Sequence, residues 1–250
     1  MAVFDFSALG FSRDDVAVVS GAANGIGRST ALMLARSGVA VAAWDVEEQA
    51  LRALVAEAVP SGGIVVPVVV DVLDAAAVER AWDRTGAIGG PVKYLVNNAG
   101  PPSTTPLAVA DGVAAAIGSY AAVTEGFVGR HGSDASSVCF VTSISGSFVG
   151  GDTQDWYPAA KAGITGYMRN VAVKFRGRPR ANAVAPGVTI TRRTADRYAS
   201  AVAQERLRAY PMGRAAEADE VAAVICFLLS RAASYVNGVV LPVDGAVICT

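Results

Sequence analysis

Seven short stretches of the chain are apolar at nearly every position, and longer segments of helical character separate them. The apolar runs are VAVV at 16–19, VAVAA at 39–43, IVVPVVV at 64–70, YLVN at 94–97, VCFVT at 138–142, ANAVA at 181–185 and VVLPV at 239–243. Between them the pattern predicts helices near 26–37, 47–58, 74–85, 107–129, 157–175 and 218–229. A strand that is apolar on both sides is buried on both faces, as in a parallel sheet covered by helices above and below. The expected fold is therefore α/β, a doubly wound parallel sheet of about seven strands with helices on both faces. No repeat, linker or break in composition divides residues 1–250, so they read as one domain. Residues 191–217, TRRTADRYASAVAQERLRAYPMGRAAE, interrupt the strand–helix rhythm with charge and aromatics. They fit either a surface helical excursion or a lid over a substrate pocket.

Composition narrows the function classes. Apolar residues make up 52% and charged residues 17%, with 26 glycines and a net charge of −1. Nothing here favours nucleic acid or an anionic membrane as partner. The start, MAVFDFSALGFSRDD, lacks a cationic leader and carries Asp5, Asp14 and Asp15 early. No apolar run reaches the length of a membrane span. Cys139, Cys226 and Cys249 are widely spaced and odd in number, which suits a reduced, cytoplasmic setting. His131 is the only histidine, so a histidine triad or a histidine-rich metal site is not expected.

The first strand runs into SGAANGIGRSTALMLARSG, with Gly21, Gly25 and Gly27 between an apolar strand and an amphipathic helix. In that context a glycine-rich turn lets backbone approach a pyrophosphate, and the helix start supplies free N–H groups and positive dipole. Eighteen residues past Gly27, Asp45 ends the second strand in AAWDVEE, where a carboxylate can accept hydrogen bonds from ribose hydroxyls and would repel a 2′-phosphate. Neither Asn24 nor Trp44 supplies an arginine to receive such a phosphate, so NAD is expected over NADP.

Later, Tyr157 stands four residues ahead of Lys161 in DWYPAAKAG. On a helix that starts near Asp155, as Pro158 in the first turn allows, both side chains share a face. A phenol, which in water titrates near pH ~10, is a poor base near neutrality, but a cation beside it lowers that value at about 1.4 kcal/mol per unit. Tyr157 is thus the candidate general acid/base. Ser143 in TSISG can donate a hydrogen bond to a substrate oxygen, with Ser145 as its competitor.

The spacing Gly-x-x-x-Gly-x-Gly, the segment Asn97-Asn98-Ala99-Gly100, the Tyr157-x-x-x-Lys161 pair with Ser143, and the stretch ANAVAPGVTIT resemble the short-chain dehydrogenase/reductase family over nearly the whole chain. The resemblance implies a single Rossmann-like domain with catalytic Ser143, Tyr157 and Lys161. It implies an NAD site built from Gly21, Asn24, Gly25, Ile26, Gly27, Asp45, Asp71, Val72, Asn98, Ala99, Gly100, Tyr157, Lys161, Pro186, Gly187, Thr189 and Thr191. Asp71 and Val72 would flank the adenine, Asn98 would hold neighbouring strands together, and Pro186 and Gly187 would shape the nicotinamide pocket. It also implies a homo-oligomer, tetramer or dimer.

Two departures stand out. Ala246 replaces a frequent glycine. No asparagine lies between Asn98 and Asn170, whereas many family members carry one on the helix before the fifth strand to hold a water that links the lysine to solvent. Ala116 or its neighbours stand at that place, with Ser119 or backbone left to hold the water. Residues expected near the substrate, Pro101, Pro102, Ile144, Phe148, Trp156, Val188, Tyr198, Tyr210 and Met212, are mostly apolar, while Arg192 and Arg193 read as solvated charges. The function expected is NAD(H)-dependent interconversion of a hydrophobic secondary alcohol and its ketone, such as a steroid, terpenoid or aromatic alcohol. The alternative is a weakly active or inactive NAD-binding protein with a regulatory or structural role.

Overall fold

In the first strand, β1 (Val16–Ser20), side chains alternate between two packed layers: Val16 and Val18 join one apolar cluster, Ala17 and Val19 the other, all at most 1% exposed. Both faces of the strand are dry, which is why its sequence is apolar throughout rather than alternating. The computed structural model describes residues 9–133, 135–150 and 153–250; the chain start with Asp5 lies outside the described residues.

The elements follow as α1 (Gly25–Arg36), β2 (Ala40–Asp45), α2 (Glu48–Ala58), β3 (Val65–Val69), α3 (Ala75–Gly86), β4 (Val92–Asn97), α4 (Val109–His131) and β5 (Ser137–Val141). After them come a kinked turn, α5 (Ile144–Ser147), then α6 (Trp156–Lys174) and β6 (Arg180–Pro186). The excursion holds β7 (Thr189–Ile190), α7 (Ala195–Tyr198), α8 (Ala201–Arg208) and β8 (Ala216–Glu217), before α9 (Ala218–Leu229) and β9 (Val240–Val243). Seven strands form one parallel sheet in the order β3-β2-β1-β4-β5-β6-β9, and β7 and β8 form a separate parallel pair.

One face is covered by α1, α2 and α9, whose Leu32, Leu34, Leu51, Leu54, Ile225 and Leu229 pack together. The other is covered by α3, α4 and α6 through Trp82, Tyr120, Phe127, Ile164 and Met168. The seven expected strands and six main helices all form, each within a few residues of the predicted bounds. Strand order reverses at β1, which lies between β2 and β4. Chains diverge to opposite sides there and leave a crevice at the strands' C-terminal ends, the usual place for a ligand in such sheets.

Candidate active site

The cleft over those strand ends has a volume of about 1210 Å³, larger than the several hundred Å³ of a typical small-ligand pocket. That leaves room for a dinucleotide and a second molecule. Of the residues expected in it, Gly21, Asn24, Gly25, Ile26, Asp45, Asp71, Val72, Asn98, Ala99, Gly100, Ser143, Tyr157, Lys161, Pro186, Gly187, Thr189 and Thr191 line it. Gly27 does not: it is buried, and a Cβ there would sit 2.1 Å from the Gly21 carbonyl oxygen, so its role is close packing of the turn.

The turn between β1 and α1 is shaped by backbone. Gly21 (φ 68°) and Gly25 (φ 55°) occupy the left-handed region that glycine adopts freely. A Cβ at Gly21 would meet Asn98 Nδ2 at 2.5 Å. Asn98 holds the neighbouring strands together: its Nδ2 donates to the carbonyls of Ser20 (3.0 Å) and Gly21 (3.3 Å), while the Ser20 hydroxyl accepts from the amides of Asn98 and Ala99. Helix α1 starts with no side-chain cap and no acid in its first turn. Its free N–H groups and dipole therefore suit an anion, and the turn fits the pyrophosphate of a dinucleotide.

Asp45 accepts from the Ala23 amide at 2.9 Å and the Glu47 amide at 3.1 Å, tying the end of β2 to the glycine turn. Glu47, which sequence reasoning missed, accepts from Asn24 Nδ2 at 3.1 Å and from Arg192 at 2.6 Å, linking that turn to the excursion.

Tyr157 and Lys161 lie on one face of α6, with Lys161 Nζ 5.6 Å from the Tyr157 ring centroid. Burial pushes the Lys161 amine down to about 7, helped by the Arg193 charge. Burial also raises the Tyr157 phenol, and only partly do a hydrogen bond with Ser143 and the Arg193 charge oppose it. The expectation of a phenol lowered by its lysine is thus corrected for the protein by itself, because desolvating the phenolate outweighs the favourable contacts. Ser143 Oγ accepts from the Ser145 amide at 3.1 Å, and its hydroxyl also bonds the Tyr157 phenol. Ser145 has a buried hydroxyl with no partner among the described residues.

The substrate side departs from expectation at three residues. Trp156 is 1% exposed, packs against Ala116 and Ala160, and donates to the Thr105 carbonyl at 2.9 Å, so it is core. A Cβ on Gly112 would collide with its ring, which explains how α4 comes close enough to bury it. Phe148 is 45% exposed and outside the cleft lining, and Met212 lines a separate cavity of about 300 Å³. Pro101, Pro102, Ile144, Val188, Tyr198 and Tyr210 do line the cleft. Arg192 and Arg193 line the cleft as well, and both stay exposed, as expected of solvated charges. Among the described residues no group of His, Cys, Asp and Glu is placed to hold a metal, and no helix is long and apolar enough to cross a membrane.

A family model described as enoyl-(acyl carrier protein) reductase matches residues 21–247. The chain is 40% identical over 245 residues to the cis-4-hydroxycyclohexanecarboxylate dehydrogenase of Sinomonas cyclohexanicum, covering 92% of this chain and 95% of that protein. It is 32% identical over 243 residues to the 3-oxoacyl-(acyl-carrier-protein) reductase FabG of Thermotoga maritima, covering 93% and 97%. The crystal structure of levodione reductase superimposes with a TM-score of 0.87 at 31% identity, over 96% of this chain and all of that one. The protein belongs to the short-chain dehydrogenase/reductase family. It is an oxidoreductase of the kind that interconverts secondary alcohols and ketones.

Proposed function

We propose that the protein is an NAD(H)-dependent dehydrogenase/reductase acting on a hydrophobic ring alcohol and its ketone, with Tyr157 as general acid/base. The observation that carries this reading is the convergence of Ser143, Tyr157 and Lys161 on one cleft with the glycine turn and Asp45. The nicotinamide, when bound, supplies the hydride acceptor or donor. Tyr157 takes the hydroxyl proton of the alcohol during oxidation and returns a proton to the carbonyl oxygen during reduction. Ser143 donates to that oxygen as charge develops on it. Lys161, charged, favours the phenolate. Because burial holds the phenol protonated, reduction runs toward neutral pH and oxidation speeds up as pH rises.

Asp45 at the end of β2 supports NAD, since its carboxylate would face a 2′-phosphate. The relative from Sinomonas acts on a hydroxycyclohexane that bears a carboxylate, and one residue here favours the same class. Arg193 lines the cleft and acts on both Tyr157 and Lys161, and it forms no ion pair with any described residue, whereas its neighbour Arg192 pairs with Glu47. A guanidinium on the wall of that cleft suits a substrate carboxylate.

The test is NADH formation, followed by nicotinamide absorbance, with cyclohexanol and cis-4-hydroxycyclohexanecarboxylate against NAD and NADP. Turnover is expected with NAD, and with the carboxylate at lower concentration than with cyclohexanol. A protein that prefers NADP would overturn the cofactor reading, and one that oxidises neither alcohol would overturn the substrate reading. A cytoplasmic homo-oligomer remains part of the proposal, checked by light scattering of the purified protein.

A further inference from the structure

Lys161 reaches inward to α4, which carries no asparagine. Ala116 is packed against Trp156 and Ala160 and has no polar side-chain atom to offer. Ser119 turns its hydroxyl back onto the Ala116 carbonyl at 3.0 Å. One helical turn beyond Ala116, Tyr120 does meet the lysine. Its hydroxyl lies 3.1 Å from Lys161 Nζ, 2.8 Å from the Val141 carbonyl and 3.3 Å from the Asn98 carbonyl. Its ring is 1% exposed and stacks on Phe140 at 6.2 Å, so the hydroxyl is held by the core. Lys161 Nζ also lies 5.1 Å from the Tyr120 ring centroid and donates to the Val141 carbonyl at 2.8 Å.

The hydrogen-bond roles follow from proton count. A protonated lysine has three donors and no acceptor, so in the contact with Tyr120 the amine donates and the phenol oxygen accepts. The single phenol proton is then left for a backbone carbonyl, Val141 or Asn98. Carbonyls have no proton to hand on, so this branch holds the lysine and ends there. Burial raises the Tyr120 phenol, and the nearby Tyr157 raises it further, which keeps it a neutral acceptor.

We infer that Tyr120 is the positioning residue for Lys161: its hydroxyl, with the Val141 carbonyl, fixes the amine beside Tyr157 from α4, the helix on which the family resemblance leads one to expect an asparagine. The inference rests on the proposed role of Tyr157.

Tyr120→Phe removes only the hydroxyl and keeps the ring on Phe140. The chain has three lysines, Lys93, Lys161 and Lys174, so lysine-selective ¹³C labelling resolves Lys161 by NMR without cofactor or substrate, its signal assigned through Lys161→Met. The ammonium loses an acceptor in Tyr120→Phe, so its titration midpoint is expected to fall by about one pH unit. In cyclohexanol oxidation with NAD, kcat is expected to fall about tenfold, with the rise of rate with pH displaced upward and KM and NADH binding within about twofold. A Lys161 midpoint and a pH–rate profile both unchanged would reduce Tyr120 to packing and overturn the inference. If the midpoint shifts while the parent turns over no alcohol, the anchor stands and the proposed reaction fails. If the parent turns over cyclohexanol and the midpoint stays put, the anchor fails alone. Should Tyr120→Phe not fold, Tyr120→Met serves for the same titration, with the same shift expected and an unmoved midpoint equally fatal.

Discussion

The two walls of the cleft are built differently. The cofactor-facing wall, from Ser20 to Gly27 with Asp45 and Asn98, is made of backbone turns in special conformations, tied by hydrogen bonds into strands that are dry on both faces. The facing wall, from Arg192 through α8, has a single buried side chain in its longest helix, Leu207, and is tied back by Thr194 contacts to Thr189 and Thr191 and by a Ser200 cap. Its ion pair to the opposite wall, Arg192–Glu47, joins side chains that are 67% and 45% exposed, and such pairs contribute little. The first wall is a preformed cradle for a ligand that does not vary. The second is the more weakly held of the two, with few buried side chains and an exposed ion pair.

Substitutions sharpen the contrast. The largest effect is expected between the walls: Tyr157→Phe should lower kcat by about 10²–10⁴-fold while NADH fluorescence titration shows binding retained. Turnover close to the parent's would remove Tyr157 from the mechanism. On the cofactor wall, Gly27→Ala drives a methyl against the Gly21 carbonyl and should cost about 1–3 kcal/mol in urea unfolding, with NADH binding impaired. Asp45→Ala should weaken NAD binding about tenfold and narrow its lead over NADP, because a charged acceptor is lost. On the facing wall, if the proposed substrate class holds, Arg193→Gln should raise KM for cis-4-hydroxycyclohexanecarboxylate about tenfold and leave cyclohexanol within about twofold. An equal loss with both alcohols would point to the cofactor phosphates instead. Smallest of all, Val202→Ala, at a side chain 64% exposed, should leave unfolding within about 0.5 kcal/mol of the parent. If it destabilised as much as Gly27→Ala, the two walls would not differ in the way described.

Much of the site was legible because its parts are short-range. The left-handed glycines, the uncapped start of α1 and the shared face of Tyr157 and Lys161 each depend on spacings of a few residues. Trp156 shows where that reading stops: beside Tyr157 in sequence, it points into the core because Gly112 on another helix makes room for it. Arg192 and Arg193 show the same limit, being adjacent and alike in sequence yet different in partner. The missing asparagine of α4 left the choice open between Ala116, its neighbours and Ser119. The residue that answers it, Tyr120, carried one usable signal, its place one turn along the same helix.

By itself the sequence determined the strand and helix order, the parallel sheet, the glycine turn and the shared helix of Tyr157 and Lys161, since hydrophobic period and local backbone preference act over neighbours in the chain. The tertiary structure alone decided what surrounds the reacting groups. Tyr120 meets a lysine 41 residues away, the Arg193 charge lowers both Tyr157 and Lys161 from the excursion, and burial sets the Tyr157 phenol up and the Lys161 amine down. Desolvation and charge at a site are sums over everything packed around it, and that packing exists only once distant segments have met.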